Sequence, residues 1–411
     1  MGYESTRVIG KIVISGLLLW LALFMLKWGL AGRVAASGSY SAGMAQSMVA
    51  FPDVLARLGE EAWRKQNVSA AIGFFQKAVM GDPLKAGAWL GLAEAEKANG
   101  NRDVPRKILD YVHGLGKSTL RWTWSETLLA IDLEVYPMVW ENLNRMIENK
   151  RRTADALQLA DVILAAEPDA VGERLEARNL APYMNWLIRW GRLDQALAVR
   201  ALMARKGVGD PEADVRLSAR LLGKKRVSEA LSLGGTGAKG LTNPGFEADF
   251  TGGPFDWRFS RQGPGWKMER VAGVAGEGGY SLSIVFDGKK NVSFSHLHQV
   301  IPVEPGVSYR LTALWKGDGI TTDQGPYLEI YGYDAKGLHV KGPMLLGTQD
   351  WGKVGIEFTA PDDCHAVVVR LRRLPSRKLD NRIEGTVWLD GFELADGGRV
   401  QLSGGRVQEE R

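Results

Sequence analysis

The chain has 411 residues, of which 45% are hydrophobic and 24% charged, a balance that excludes a largely disordered protein and a length that exceeds one ordinary domain. Its net charge of +5 does not mark a nucleic-acid binder, which concentrates basic side chains on one face: residues 1–240 carry 32 basic and 25 acidic side chains spread along helical stretches, and residues 241–396 carry 17 and 20. The lone cysteine, Cys364, excludes a disulfide framework and a cysteine-based zinc site.

The apolar run Ile12–Leu26, extended through Trp28–Ala31 with Lys27 able to snorkel, approaches the roughly 20 residues that a spanning helix needs. Arg7 and Lys11 precede it and Lys27 and Arg33 follow, so counting charges gives no orientation. A short basic start before the first apolar segment is the signal-anchor arrangement, leaving the rest of the chain outside. The competing reading is a cleavable signal peptide, for which Val34–Ala36 before Ser37 offers small residues. We therefore expect an anchor over 1–34 and a flexible Ala/Gly/Ser-rich tether over 35–51.

Residues 52–233 carry a period of about 34 residues. In the window 52–85, Leu55, Leu58 and Gly59 hold first-helix positions, Ala71, Phe75 and Ala78 hold second-helix positions, and Pro83 closes the unit. The offsets return in 86–119 (Trp89, Leu92, Ala93), 137–170 (Trp140, Leu143, Ala156, Pro168), 177–210 (Gly191, Ala196) and, in part, from Pro211 (Ala230). Residues 120–136 interrupt the array and are expected to add a helix. Small residues let paired helices approach, large ones fill the next groove, and proline ends the second helix. The stretch resembles the tetratricopeptide repeat family, whose arrays bind a protein segment in their groove or space two modules.

After a linker over 234–240, the pattern becomes short alternating runs broken by Gly, Pro and Asp, the signature of an all-β sandwich. Strands are expected at 280–286, 292–303, 308–316, 327–333, 351–359, 366–374 and 386–394, with a disordered tail over 397–411. Asn243–Glu247 (NPGFE), Gln299–Ala313 and Val387–Leu394 (VWLDGFEL), in this order, are similar to segments of the jelly-roll carbohydrate-binding modules that accompany bacterial glycoside hydrolases. The fold class is thus multidomain, α and all-β: a transmembrane helix, an α-solenoid and a jelly-roll sandwich. The resemblance implies polysaccharide as ligand and a structural Ca2+ held by Glu247 and Asp390. Together with the apolar run near the start of the chain, it leads us to expect a single-pass bacterial inner-membrane protein whose bulk is periplasmic.

Sugar binding needs flat ring faces and planar polar side chains. Alternation on 327–333 sends Leu328 and Ile330 one way and Tyr327, Glu329, Tyr331 and Tyr333 the other, a candidate platform. Trp257 and Trp266 lie in a Gly/Pro-rich loop placed to overhang a cleft, and Arg370 and Arg372 share a face suited to an acidic glycan; packing under a loop and simple solvent exposure compete with these readings. His296 and His298 face one way, two ligands being too few for a metal site. A glycosidase needs two carboxylates flanking a cleft; Glu329 has no assignable partner, and no GxSxG, P-loop, HExxH or dinucleotide motif occurs. The expected function is a non-catalytic envelope protein. It would hold polysaccharide and a protein partner, bind no nucleic acid, and serve exopolysaccharide assembly or export. The alternatives are a protein-binding scaffold without a sugar ligand and a jelly-roll glycoside-active enzyme.

Overall fold

The computed structural model describes residues 51–116, 120–165, 167–233, 240–379 and 381–399, together with Met25. The expected anchor apart from Met25, the tether apart from Phe51, most of the linker and most of the tail lie outside these residues. Among the described residues no helix is long and apolar enough to cross a membrane.

Twelve helices among the described residues precede the strands: α1 (Pro52–Arg64), α2 (Val68–Gly81), α3 (Ala86–Ala98), α4 (Asp103–Leu115), α5 (Thr123–Asp132), α6 (Tyr136–Glu148), α7 (Thr153–Ile163), α8 (Pro168–Arg174), α9 (Ala177–Arg189), α10 (Leu193–Arg205), α11 (Pro211–Gly223) and α12 (Val227–Ser232). Helices α1 and α2, α3 and α4, α6 and α7, and α11 and α12 pair as the periodicity predicts, and α5 fills the interruption. Proline sits in the first turn of α1, α6, α8 and α11, where its missing N–H costs nothing. The Asn67 and Asp210 side chains accept from Ala70 N (3.2 Å) and Ala213 N (3.0 Å) to cap α2 and α11. Pro168 does not close a unit but opens α8.

The repeat positions explain the packing. Phe75 on α2 is 2% exposed, wedged between α1 and α3. A Cβ at Gly59 would lie 2.7 Å from its ring and one at Gly91 2.5 Å, so only glycine lets the three helices close around it. Farther along, buried Asn144 donates to Trp140 O (3.0 Å) and Arg174 O (3.1 Å) and accepts from Asn179 Nδ2 (2.8 Å) and Glu176 N (2.8 Å). This satisfied polar knot fastens α6 to the junction of α8 and α9.

The chain divides into two compact units between Tyr183 and Met184, inside α9. The second unit holds α10–α12 and eleven strands: β1 (Arg258–Phe259), β2 (Gln262–Gly263), β3 (Trp266–Ala272), β4 (Tyr280–Asp287), β5 (Phe294–Pro302), β6 (Val307–Ile320), β7 (Tyr327–Gly332), β8 (His339–Met344), β9 (Gly347–Thr359), β10 (Ala366–Arg373) and β11 (Glu384–Arg399). They form two antiparallel sheets, of order β1-β5-β10-β7-β8 and β2-β3-β4-β11-β6-β9.

The sheets enclose one core that includes Phe246, Leu282, Ile284, Phe286, Leu297, Ile301, Leu311, Leu328, Ile330, Val367, Val369, Leu371, Val387 and Leu389. Val387 and Leu389 point inward, so the pleat turns half-buried Trp388 out of the six-stranded sheet. Within this unit the end of α11 is tied to the end of β7. The Tyr333 hydroxyl donates to Leu222 O (2.7 Å), and Lys225 Nζ donates to Tyr333 O (2.6 Å) while lying 3.3 Å from its ring centroid.

Strands β1, β2, β3 and β8 were not anticipated. The first three emerge from a run dense in Gly and Pro. Strand β8, His-Val-Lys-Gly-Pro-Met, is an exposed edge with no apolar alternation, where proline is tolerated.

Candidate functional site

Strand β10 lies at the centre of the five-stranded sheet and sets its two faces. Val367, Val369 and Leu371 enter the core, so Ala366, Val368, Arg370 and Arg372 must face outward. The register then aligns a single row across all five strands: Arg258 opposite His298, His298 opposite Arg370, Arg370 opposite Glu329, and Glu329 opposite Lys341. The next rows pair Arg372 with Tyr327 and Tyr327 with Met344 on one side, and Val300, Val368, Tyr331 and His339 on the other. The middle of this face is packed, Val300 and Val368 being buried, whereas Arg258, His339, Lys341 and Met344 at its margins are exposed.

Glu329 is the electrostatic centre of the surface. It is 2% exposed, and burial pushes its carboxyl up; hydrogen bonds from His339 and Arg370, with their charges, outweigh burial and hold it below the usual range. Arg370 Nε donates to Oε1 at 2.7 Å, a second guanidinium nitrogen contacts the same oxygen, and His339 Nε2 lies 2.9 Å from Oε2. On the neighbouring strand burial, then the charges of Arg370 and Arg258, lower the His298 imidazole.

The three tyrosines are on the expected face, but none offers an open ring. Tyr327 is 3% exposed and stands opposite Arg372 in the register. The Arg370 guanidinium covers Tyr331 at 4.8 Å from the ring centroid, and Tyr333 is taken up by Lys225 and Leu222. What the face presents is planar charged and polar groups laid over aromatic rings.

Trp257 and Trp266 do not overhang a cleft. They are 2% and 5% exposed, because the loop folds back into the sandwich. Trp257 packs on Phe246 and Phe392 at 5.4 and 4.9 Å and donates Nε1 to Asn243 O at 3.3 Å. The Trp266 ring is edge-on to Phe294 at 5.0 Å and carries His296 stacked at 4.7 Å. Cys364 is buried, its thiol pushed up to about 11, chiefly by burial, which leaves it inert. Arg258, His339 and Lys341 were missed because they lie on the short strand β1 and the weakly patterned β8; the register of their partners is the only signal that brings them in.

Glu247 and Asp390 converge on the 276–280 loop. Glu247 Oε1 accepts from Gly279 N (2.9 Å) and Tyr280 N (3.1 Å); Asp390 accepts from Gly276 N (2.8 Å), Glu277 N (2.9 Å) and its neighbour Gly391 N (2.7 Å). Gly278 has φ +66° and a Cβ there would collide with the Glu247 carboxylate, so this approach requires glycine. Asp390 is fully buried, and burial together with the Glu247 charge raises its carboxyl despite the three N–H bonds. Among the described residues no group of three or more His, Cys, Asp or Glu side chains is arranged to hold a metal. The two carboxylates fit a calcium shell only in company with carbonyl or water oxygens.

No protein-family model matches the chain, and no curated protein matches it. Among solved structures it is similar to TmCBM61 in complex with β-1,4-galactotriose, at 22% identity over 38% of this chain and 97% of that one, with a TM-score of 0.27. It is also similar to the CBM22-1 xylan-binding domain of Paenibacillus barcinonensis Xyn10C, at 14% identity over 38% of this chain and 93% of that one, TM-score 0.26. A third likeness is to YrrB, a TPR protein with an unusual peptide-binding site, at 16% identity over 44% of this chain and 81% of that one, TM-score 0.22. Carbohydrate-binding modules and tetratricopeptide proteins are thus what the chain is similar to. At these TM-scores the likeness adds nothing to the topology and says nothing of a ligand.

Glu329→Gln tests the electrostatic centre. Because the folded carboxyl lies below its unfolded value, its stabilisation is complete above the ordinary glutamate range and is lost as pH falls through the folded value. Urea unfolding should show the variant about 1–3 kcal/mol less stable at neutral pH, the gap closing in acid; a gap independent of pH would mean that the charge is not its source.

Proposed function

We propose that this chain is a non-catalytic, membrane-anchored envelope protein that holds polysaccharide on the outer face of its five-stranded sheet. The observation that carries the reading is the cross-strand row Arg258–His298–Arg370–Glu329–Lys341. Planar hydrogen-bonding side chains fixed by one another and by rings beneath them suit hydroxyl-rich ligands. Support for a binder over a glycosidase comes from Glu329, the one carboxylate of the row: it is buried, ionised and neutralised by Arg370 and His339, whereas an acid catalyst needs a raised pKa and a second carboxylate. The Ile12–Leu26 run supports the anchor and the extracytoplasmic placement, and the paired helices support a protein partner in their groove. A role in exopolysaccharide assembly or export follows from that combination.

The test takes the full chain from native membranes with non-ionic detergent and passes it over immobilised bacterial polysaccharides. The reading expects recovery from the membrane fraction, a co-purifying protein, and retention that Arg370→Ala lowers about tenfold. Recovery only in the soluble fraction contradicts the anchor, and no retention on any polysaccharide by folded protein contradicts the binding surface.

Calcium at Glu247 and Asp390 is the second part of the proposal, supported by a fully buried carboxylate with another acidic charge beside it. Added calcium should raise the unfolding temperature, EDTA should reverse the rise, and Glu247→Gln should abolish it. Insensitivity of the unmodified chain to both would remove the metal.

A further inference from the structure

The basic side chains of the sandwich are compensated on one sheet and left open on the other. On and around the six-stranded sheet, Lys267 pairs with Glu269, Arg310 with Glu357, Lys316 with Asp350 and Lys353 with Glu393. On the outer face of the five-stranded sheet the single carboxylate of the row is consumed by Arg370 and His339. Among the described residues no carboxylate lies within ion-pair distance of Arg258, Arg372 or Lys341. Arg258 donates to Gly253 O at 3.0 Å, Arg372 stands opposite Tyr327 in the register, and Lys341 sits 6.0 Å from the Tyr327 ring centroid. Three uncompensated cations thus share one face of a segment whose totals, 17 basic and 20 acidic side chains, are slightly acidic.

We propose that this face selects a polysaccharide bearing anionic groups, the carboxylates of uronic acids or sulfate esters, over a neutral glycan. The assignment rests on the outer face being the sugar-binding surface. Neighbouring strands lie about 4.8 Å apart, so Arg258 and Lys341, at opposite ends of a five-strand row, are roughly 19 Å apart, long enough to meet charges on successive sugars. Each guanidinium fork matches two oxygens of a carboxylate or sulfate, and Lys341 adds a point charge at the far margin. A neutral sugar gains less here, because stacking needs an open ring and all three tyrosines are already covered.

The experiment measures binding of the full chain to a polyuronate, to the same polymer with its carboxylates reduced to primary alcohols, to a sulfated glycan, and to single-stranded DNA. Expected are binding of the polyuronate or the sulfated glycan that weakens as salt screens it, and at least tenfold weaker binding of the reduced polymer. Arg372→Ala and Lys341→Ala should each lower affinity about tenfold, Lys341→Arg should retain most of it, and Lys353→Ala on the other sheet should change nothing. Unfolding temperatures of all variants verify that the fold is intact. Equal binding of the reduced polymer overturns the anionic assignment and leaves the sugar surface standing. Equal affinity for the DNA overturns it in favour of a general polyanion surface. No binding to any glycan overturns both readings.

Discussion

The candidate surface depends on the pleat of β10. A central strand whose Val367, Val369 and Leu371 fill the core has no choice about where Arg370 and Arg372 go, since alternate side chains take opposite faces. Pairing with β5 and β7 copies that choice onto His298 and Glu329, and the edge strands extend it to Arg258 and Lys341. A slip of one residue in either register would exchange the charged row for the apolar one. The core therefore enforces the surface, and the two cannot be changed independently.

That enforcement has an electrostatic cost, which the local arrangement offsets. Burying Glu329 disfavours its charge, and only partners on both sides, Arg370 and His339, restore it. Arg370 in turn rests on Tyr331, so one guanidinium links a carboxylate to a ring and is held in place by both. Side chains fixed in this way lose little freedom on meeting a ligand. The margins, where Arg258, His339 and Lys341 are exposed, remain free to meet one.

The helical pairs and the sandwich were legible in the sequence because both carry strong periods: the Gly59, Phe75 and Ala78 offsets for the helices, and the alternation of β4–β7 and β9–β11 for the sheets. The faces of β7 and β10 were legible for the same reason. The openness of the tyrosine rings was not, because it is decided by Lys225 and Arg370, residues remote in sequence from the rings they contact. Nor was the burial of Trp257 and Trp266, whose glycine-rich loop carries no period that shows it folding into the core. Strand β8 holds only because β7 offers it an edge, and its Gly342 and Pro343 argue against a strand when read alone.

The outer face of the five-stranded sheet is the proposed ligand surface. Hydroxyl-radical footprinting of the full chain, with and without saturating polysaccharide, reads that surface side chain by side chain. His339 and Met344 are expected to become shielded while Trp388, turned out of the opposite sheet, reacts as before. Shielding of Trp388 with those two residues unchanged would contradict the assignment.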